Sequence, residues 1–92
     1  MSPYVLGLDF GTGSVRAAVF DCANGRTVGT RVFAYPSGEH GVITDVREPH
    51  LARQNPLDYV EGLRVAVRGA LEEAESVDGF RRDRVVGVGT DT

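Results

Sequence analysis

The run Asp9-Phe10-Gly11-Thr12-Gly13-Ser14-Val15-Arg16 holds the residues whose types and spacing suit chemistry. Two glycines bracketing a threonine let the backbone turn tightly and aim successive N–H groups at one point, which fits an oxyanion such as phosphate. Thr12 and Ser14 add hydroxyls. Asp9, at the end of an apolar run, is placed to hold a hydrated divalent cation that bridges phosphates. Arg16 brings a forked cation that matches phosphate oxygens. The same spacing also fits a plain hairpin turn in which Asp9 only satisfies backbone donors. It is not a Walker loop, because no Lys-Ser or Lys-Thr follows the glycines. Nor is it a dinucleotide fingerprint, since Arg16 stands where a third small residue is needed and a strand follows where a helix is needed.

The elements that must position this run are legible around it. Tyr4–Leu8 is short, apolar and rich in β-formers, so a strand is predicted at about 4–8. A second strand is predicted at about 15–21. Asn24-Gly25 favours the positive φ angles of a tight hairpin, and a third strand follows at about 27–35. Short connections join the three, which makes an antiparallel meander. Residues 36–54 lack a clear period and read as a long loop to which Val42–Ile43 could add a short strand; a loop of that length is often functional.

Asn55-Pro56 opens a helix: Asn can accept from free backbone N–H groups, and Pro suits the first helical position. Asp58 favours the positive end of the helix dipole. Val60, Leu63, Val67, Ala70, Leu71 and Ala74 recur at three- and four-residue steps and predict the buried stripe of a helix over about 56–76. Arg84 to Gly89 reads as a buried strand over about 84–90. Strand, helix and strand in that order form a crossover, so this strand should lie parallel to one of the first three. The fold class is therefore α/β. A mixed sheet with one helix leaves one face bare, so residues 1–92 are expected to be an incomplete portion of a larger domain.

Composition narrows the partners. Ninety-two residues allow at most one small domain. A net charge of −3, with arginine as the one basic residue type besides two histidines, gives no electrostatic reason to expect nucleic acid. A single cysteine, Cys22, cannot make an internal disulfide and fits a reducing compartment. No signal-peptide pattern precedes the first strand and no apolar stretch approaches a membrane span, so a cytoplasmic protein without membrane partners is expected.

Asp-Phe-Gly-Thr-Gly-Ser-Val-Arg between two strands resembles the first phosphate motif of the actin, Hsp70 and sugar-kinase superfamily. Its trailing Ser-Val-Arg resembles the FGGY carbohydrate kinases more than actin or Hsp70. The likeness continues through Pro56–Leu63, Arg68–Leu71 and Val85–Thr92, where the chain is similar to the branch of that family that phosphorylates L-ribulose. It covers essentially the whole chain, and the 36–54 loop is its weakest part.

The resemblance implies the first part of a ribonuclease-H-like, actin-like ATPase domain. It implies ATP and Mg2+ as cofactors, a small sugar as substrate and the remainder of the kinase chain as partner, while homo-oligomerisation of the full-length enzyme stays open. Gly11, Thr12, Gly13, Ser14 and Arg16 would line the ATP phosphates. Asp9 would meet the metal through water, and Asp91 and Thr92 would adjoin the sugar. No catalytic base falls in this chain, because in such kinases it is an aspartate much later. The full-length enzyme would convert L-ribulose to L-ribulose 5-phosphate in arabinose catabolism, and the 92 residues alone would be inactive. Two alternatives stand beside it: another ketose or polyol kinase, or a non-enzymatic actin- or Hsp70-like nucleotide-binding protein.

Other residues carry bland readings. His40 and His50 lack a nucleophile or metal partner at useful spacing, and Cys22 is incidental to the hairpin turn. Asp45 could face the sugar cleft but reads as a solvated loop carboxylate, Tyr59 reads as a packing residue, and Arg81, Arg82 and Arg84 as a solvated turn beside Asp83.

Overall fold

Two tight turns fold the first third of the chain into an antiparallel meander. The computed structural model describes residues 2–38, 42–45, 48–53 and 55–92. Strands β1 (Tyr4–Phe10), β2 (Ser14–Asp21) and β3 (Thr27–Ala34) follow one another. The β1–β2 ladder runs on through Asp9↔Arg16 and Phe10↔Val15, so both strands reach further into the glycine run than the predicted bounds, and only 11–13 turn. At the other turn Gly25 adopts φ +73°, as Asn24-Gly25 predicts, and its N–H donates to the Asp21 carbonyl.

Residues 36–54 correct the long-loop reading in part: the short strand suggested at Val42–Ile43 is present, and a second strand pairs with it. They contain strands β4 (Ile43–Asp45) and β5 (Glu48–Arg53), paired antiparallel in a separate two-stranded sheet. Pro49 and the mixed charge hide the alternation that would have announced β5. His40 lies outside the described residues, while Asp45 and His50 fall on strands described by backbone alone.

Helix α1 (Pro56–Ala74) starts as predicted: the Asn55 side chain accepts from the Leu57 N–H, and Pro56 opens the first turn. A 3₁₀ turn (Arg82–Arg84) then leads into β6 (Val85–Asp91), which pairs parallel to β1. The sheet order is β3-β2-β1-β6. An antiparallel meander, a crossover helix and a parallel strand beside β1 are the arrangement that opens an actin-like domain, and the fold is α/β as expected.

The helix buries part of the predicted stripe, with Ala70 and Ala74 in the core and Val67 and Leu71 packed against it, but not Val60 and Leu63. Asp58, Gly62, Ala66, Gly69, Ala70 and Ala74 are buried, whereas Val60 is 65% exposed and Leu63 39%. The reason is close approach. A Cβ on Gly29 of β3 would lie 2.7 Å from the Ala74 nitrogen, and one on Gly62 would lie 2.7 Å from Val15 Cγ1. Only small residues leave the helix and sheet that near each other. Beneath them Val15, Ala17 and Val19 of β2 are fully buried, with Tyr4, Leu6 and Leu8 of β1 alongside. Each of the two valines stabilises the fold by about 1.5–3 kcal/mol. Phe80 closes one end of this core with its ring edge-to-face against Tyr4, centroids 4.8 Å apart.

Candidate functional site

Strand alternation sorts the sheet into two faces. Leu6 and Leu8 look toward the helix side, while Val5, Gly7 and Asp9 look away from it. In register beside β1 stand Gly87, Gly89 and Asp91 of β6. On its other flank Arg16 is directly opposite Asp9. The open face thus carries a row, Arg16–Asp9–Asp91, across three neighbouring strands, and all three residues are exposed. Directly opposed residues on one face stand within side-chain reach. Two carboxylates and one guanidinium therefore converge where the carboxyl ends of two parallel strands meet.

The row borders a concavity of about 390 Å³ whose floor is the Gly7–Gly89 pair. Ala18 and Phe20 of β2 wall it. A Cβ on Gly7 would come within 3.1 Å of the Phe20 ring, so glycine there lets the ring lie over the strand. Above Gly89 nothing comes within 4 Å. Sequence reasoning missed Gly7, Ala18 and Phe20 as floor and wall residues. The signal was present in the period-2 spacing of 5, 7, 9 and of 87, 89, 91, but only the register sets the two runs side by side.

The predicted site residues divide into two groups. Asp9, Arg16 and Asp91 come together at the concavity. Gly11, Thr12, Gly13 and Ser14 form the tip of the same hairpin and do not line it. Thr92 follows Asp91 and donates its N–H to Asp91 Oδ1 at 2.9 Å. The turn does not use left-handed backbone, since the positive-φ glycines among the described residues are Gly25, Gly38 and Gly79. What Gly11 needs is room: a Cβ there would sit 3.2 Å from the Ser14 carbonyl oxygen. Its N–H already donates to that oxygen at 2.8 Å, so this donor closes the turn.

The turn is held from beneath. The Tyr35 N–H donates to the Gly13 carbonyl at 3.0 Å. The Tyr35 ring meets Tyr59 of α1 edge-to-face at 5.2 Å, and Tyr59 meets Phe10 the same way at 5.8 Å. Tyr59 is thus a packing residue, as read from the sequence. Beside it Asp58 is 5% exposed and accepts from the Ser37 N–H and hydroxyl, while the Asn55 amide donates to that hydroxyl. Asp58 therefore does more than meet the helix dipole: it pins the segment after β3 to the start of α1. Burial, reinforced by Tyr59, Asp58 and Asp9 nearby, pushes the Tyr35 hydroxyl above the usual tyrosine range.

The other candidates stay peripheral. Cys22 is an exposed free thiol. Arg81 pairs with Asp83 at 2.9 Å, and Arg82 with Glu75, on exposed surface. Among the described residues no group of three or more His, Cys, Asp or Glu side chains is placed to hold a metal by itself. No helix there is long and apolar enough to cross a membrane.

No family model matches the chain. Individual relatives do. The chain is 38% identical to a ribulokinase of Halalkalibacterium halodurans over 96% of its own length and 16% of the relative's. It is 38% identical to a ribulokinase of Mycolicibacterium smegmatis over the same shares. A Geobacillus thermodenitrificans ribulokinase is 39% identical over 96% of the chain and 15% of the relative. Over nearly its whole length the chain matches a segment of ribulokinases, and it spans about one sixth of the curated relatives it matches.

Proposed function

We propose that the complete protein is an ATP-dependent carbohydrate kinase of the FGGY family that phosphorylates L-ribulose to L-ribulose 5-phosphate. Its setting is arabinose catabolism in the cytoplasm, and residues 1–92 form the first portion of its first domain. The observation that carries this reading is the likeness to ribulokinases over 96% of the chain. The convergence of Asp9, Arg16 and Asp91 on one open face supports it from geometry.

The residues present fit Mg-ATP. The exposed Asp9 carboxylate is a hard oxygen donor that suits Mg2+ held through water. Bound Mg2+ would offset charge on the β- and γ-phosphates during in-line transfer. Within this chain, Asp9 would hold the hydrated metal. Arg16 places positive charge beside the phosphates. The Gly11–Ser14 tip approaches them closely, because the tip carries no bulky side chain. Asp91 and Thr92 orient the sugar beside the glycine floor. The base that takes the hydroxyl proton belongs to the rest of the enzyme, so catalysis by these 92 residues is positioning and charge stabilisation.

A coupled ADP-release assay on the complete protein across L-ribulose, D-ribulose, xylulose and glycerol tests the proposal. L-ribulose should give the highest kcat/KM. A better substrate among the others would move the assignment to another ketose or polyol kinase. Absence of sugar-dependent ADP release from all four would refute the kinase reading in favour of a nucleotide-driven partner protein.

A further inference from the structure

The geometry points to Tyr35 as a positioning residue of the glycine turn, acting through its ring on Tyr59 and Phe10 rather than through its hydroxyl. The inference rests on the kinase reading for its kinetic consequence, but its structural basis is independent of it.

Three observations converge on Tyr35. The residue is 4% exposed, so its orientation is set by packing. Its backbone N–H holds the Gly13 carbonyl at the tip of the turn. Its ring begins an edge-to-face chain, Tyr35–Tyr59–Phe10, that ends on the residue immediately before Gly11. Tyr35 therefore grips the turn on both sides of Thr12, from Gly13 directly and from Phe10 through the helix. Tyr59 ties the grip to the first turns of α1, which Asp58 and Ser37 anchor in turn.

The hydroxyl is the part that the grip does not use. It is buried and has no hydrogen-bond partner among the described residues. The charged and titratable neighbours that act on it are Tyr59, Asp58 and Asp9. A ring without the hydroxyl should hold the turn equally well. A branched aliphatic side chain should not, because it fills volume but lacks the edge-to-face geometry.

The test compares Tyr35→Phe, Tyr35→Leu, Tyr59→Leu and the Leu–Leu double variant, with two readouts. In the complete enzyme, Tyr35→Leu and Tyr59→Leu should each raise KM for Mg-ATP roughly 3- to 10-fold while KM for the sugar stays unchanged. The double variant should be no worse than about the poorer single, because both act through one chain of contacts. Tyr35→Phe should behave as wild type. In the same complete protein, hydrogen exchange at the Gly11 amide should quicken in Tyr35→Leu and keep its wild-type rate in Tyr35→Phe, relative to Val19 as an internal reference. Loss of melting temperature with wild-type KM and wild-type Gly11 protection would reduce Tyr35 to a core residue and overturn the inference. So would a Tyr35→Phe variant as impaired as Tyr35→Leu. If the wild-type enzyme releases no ADP with any sugar, the kinase reading fails, and the exchange experiment still decides the role of Tyr35.

Discussion

Asp58 receives both the backbone N–H and the hydroxyl of Ser37, at 3.1 and 2.9 Å, from a position that is 5% exposed. A buried carboxylate is tolerated only when its lone pairs are occupied, and here one residue fills two of them. The pair joins the end of the meander to the start of α1, twenty-one residues further along. Asp58→Ala would leave both Ser37 donors unmatched, and we expect it to lower stability by about 2–4 kcal/mol. Asp58→Asn keeps an acceptor and should cost less. Denaturant melts of the two variants check the order, and an Ala variant as stable as wild type would mean that the pair contributes nothing.

Gly29→Ala should be among the most damaging single-methyl additions. The new Cβ would fall against the Ala70 carbonyl and 2.7 Å from the Ala74 nitrogen, both helix backbone that cannot rotate away. Overpacking of this kind costs about 1–3 kcal/mol or more. Gly89→Ala provides the contrast, since nothing lies within 4 Å of its added methyl. Thermal melts should separate the two by several degrees.

Alkaline stability should report on Tyr35. Its pKa in the folded chain is raised, first by burial and then by Tyr59, Asp58 and Asp9. The stability held by the neutral phenol is complete below the unfolded value of about 10. It declines as pH rises above that value toward and through the folded one, because the unfolded chain gives up its proton first. Tyr35→Phe removes this decline, and by deleting a buried hydroxyl without a partner it should also leave stability at neutral pH unchanged or higher. Equal alkaline slopes in the two proteins would contradict the assignment.

The proposed kinase site predicts a separation of function from stability. Asp9 and Arg16 are exposed, so Asp9→Asn and Arg16→Ala should shift the melting temperature little. In the complete enzyme each should lower kcat/KM for phosphoryl transfer on the order of 100-fold or more, as loss of charge stabilisation does. Variants that melt like wild type and turn over like wild type would remove these residues from the site.

Much of this arrangement is written in local pattern. Asn24-Gly25 announces its hairpin because a positive φ is a property of two residues, and Asn55-Pro56 announces α1 because a cap is a property of one turn. The buried face of α1 is not so written. Val60 and Leu63 belong to the apolar stripe that the spacing offers, yet they stay exposed while Gly62 and Ala66 join Ala70 and Ala74 against the sheet. Periodicity identifies a helix and offers candidate faces; the depth of the groove over Gly29 selects among them. Strand β5 escaped for a related reason, since it pairs only with the short β4 and its alternation is broken by Pro49 and charge.

Local pattern alone was enough for the α/β class, for the order of meander, helix and last strand, for the turn with its Asp9, Thr12, Ser14 and Arg16, and for the likeness to sugar kinases. These depend on neighbours along the chain, where propensity and period act. Only the tertiary structure set Asp91 beside Asp9, laid Gly89 next to Gly7 as a floor, and put Tyr35 under the glycine turn. Those placements follow from ladder register and from the crossover that returns β6 to the side of β1. Register depends on how a whole face packs, and no local window contains that information.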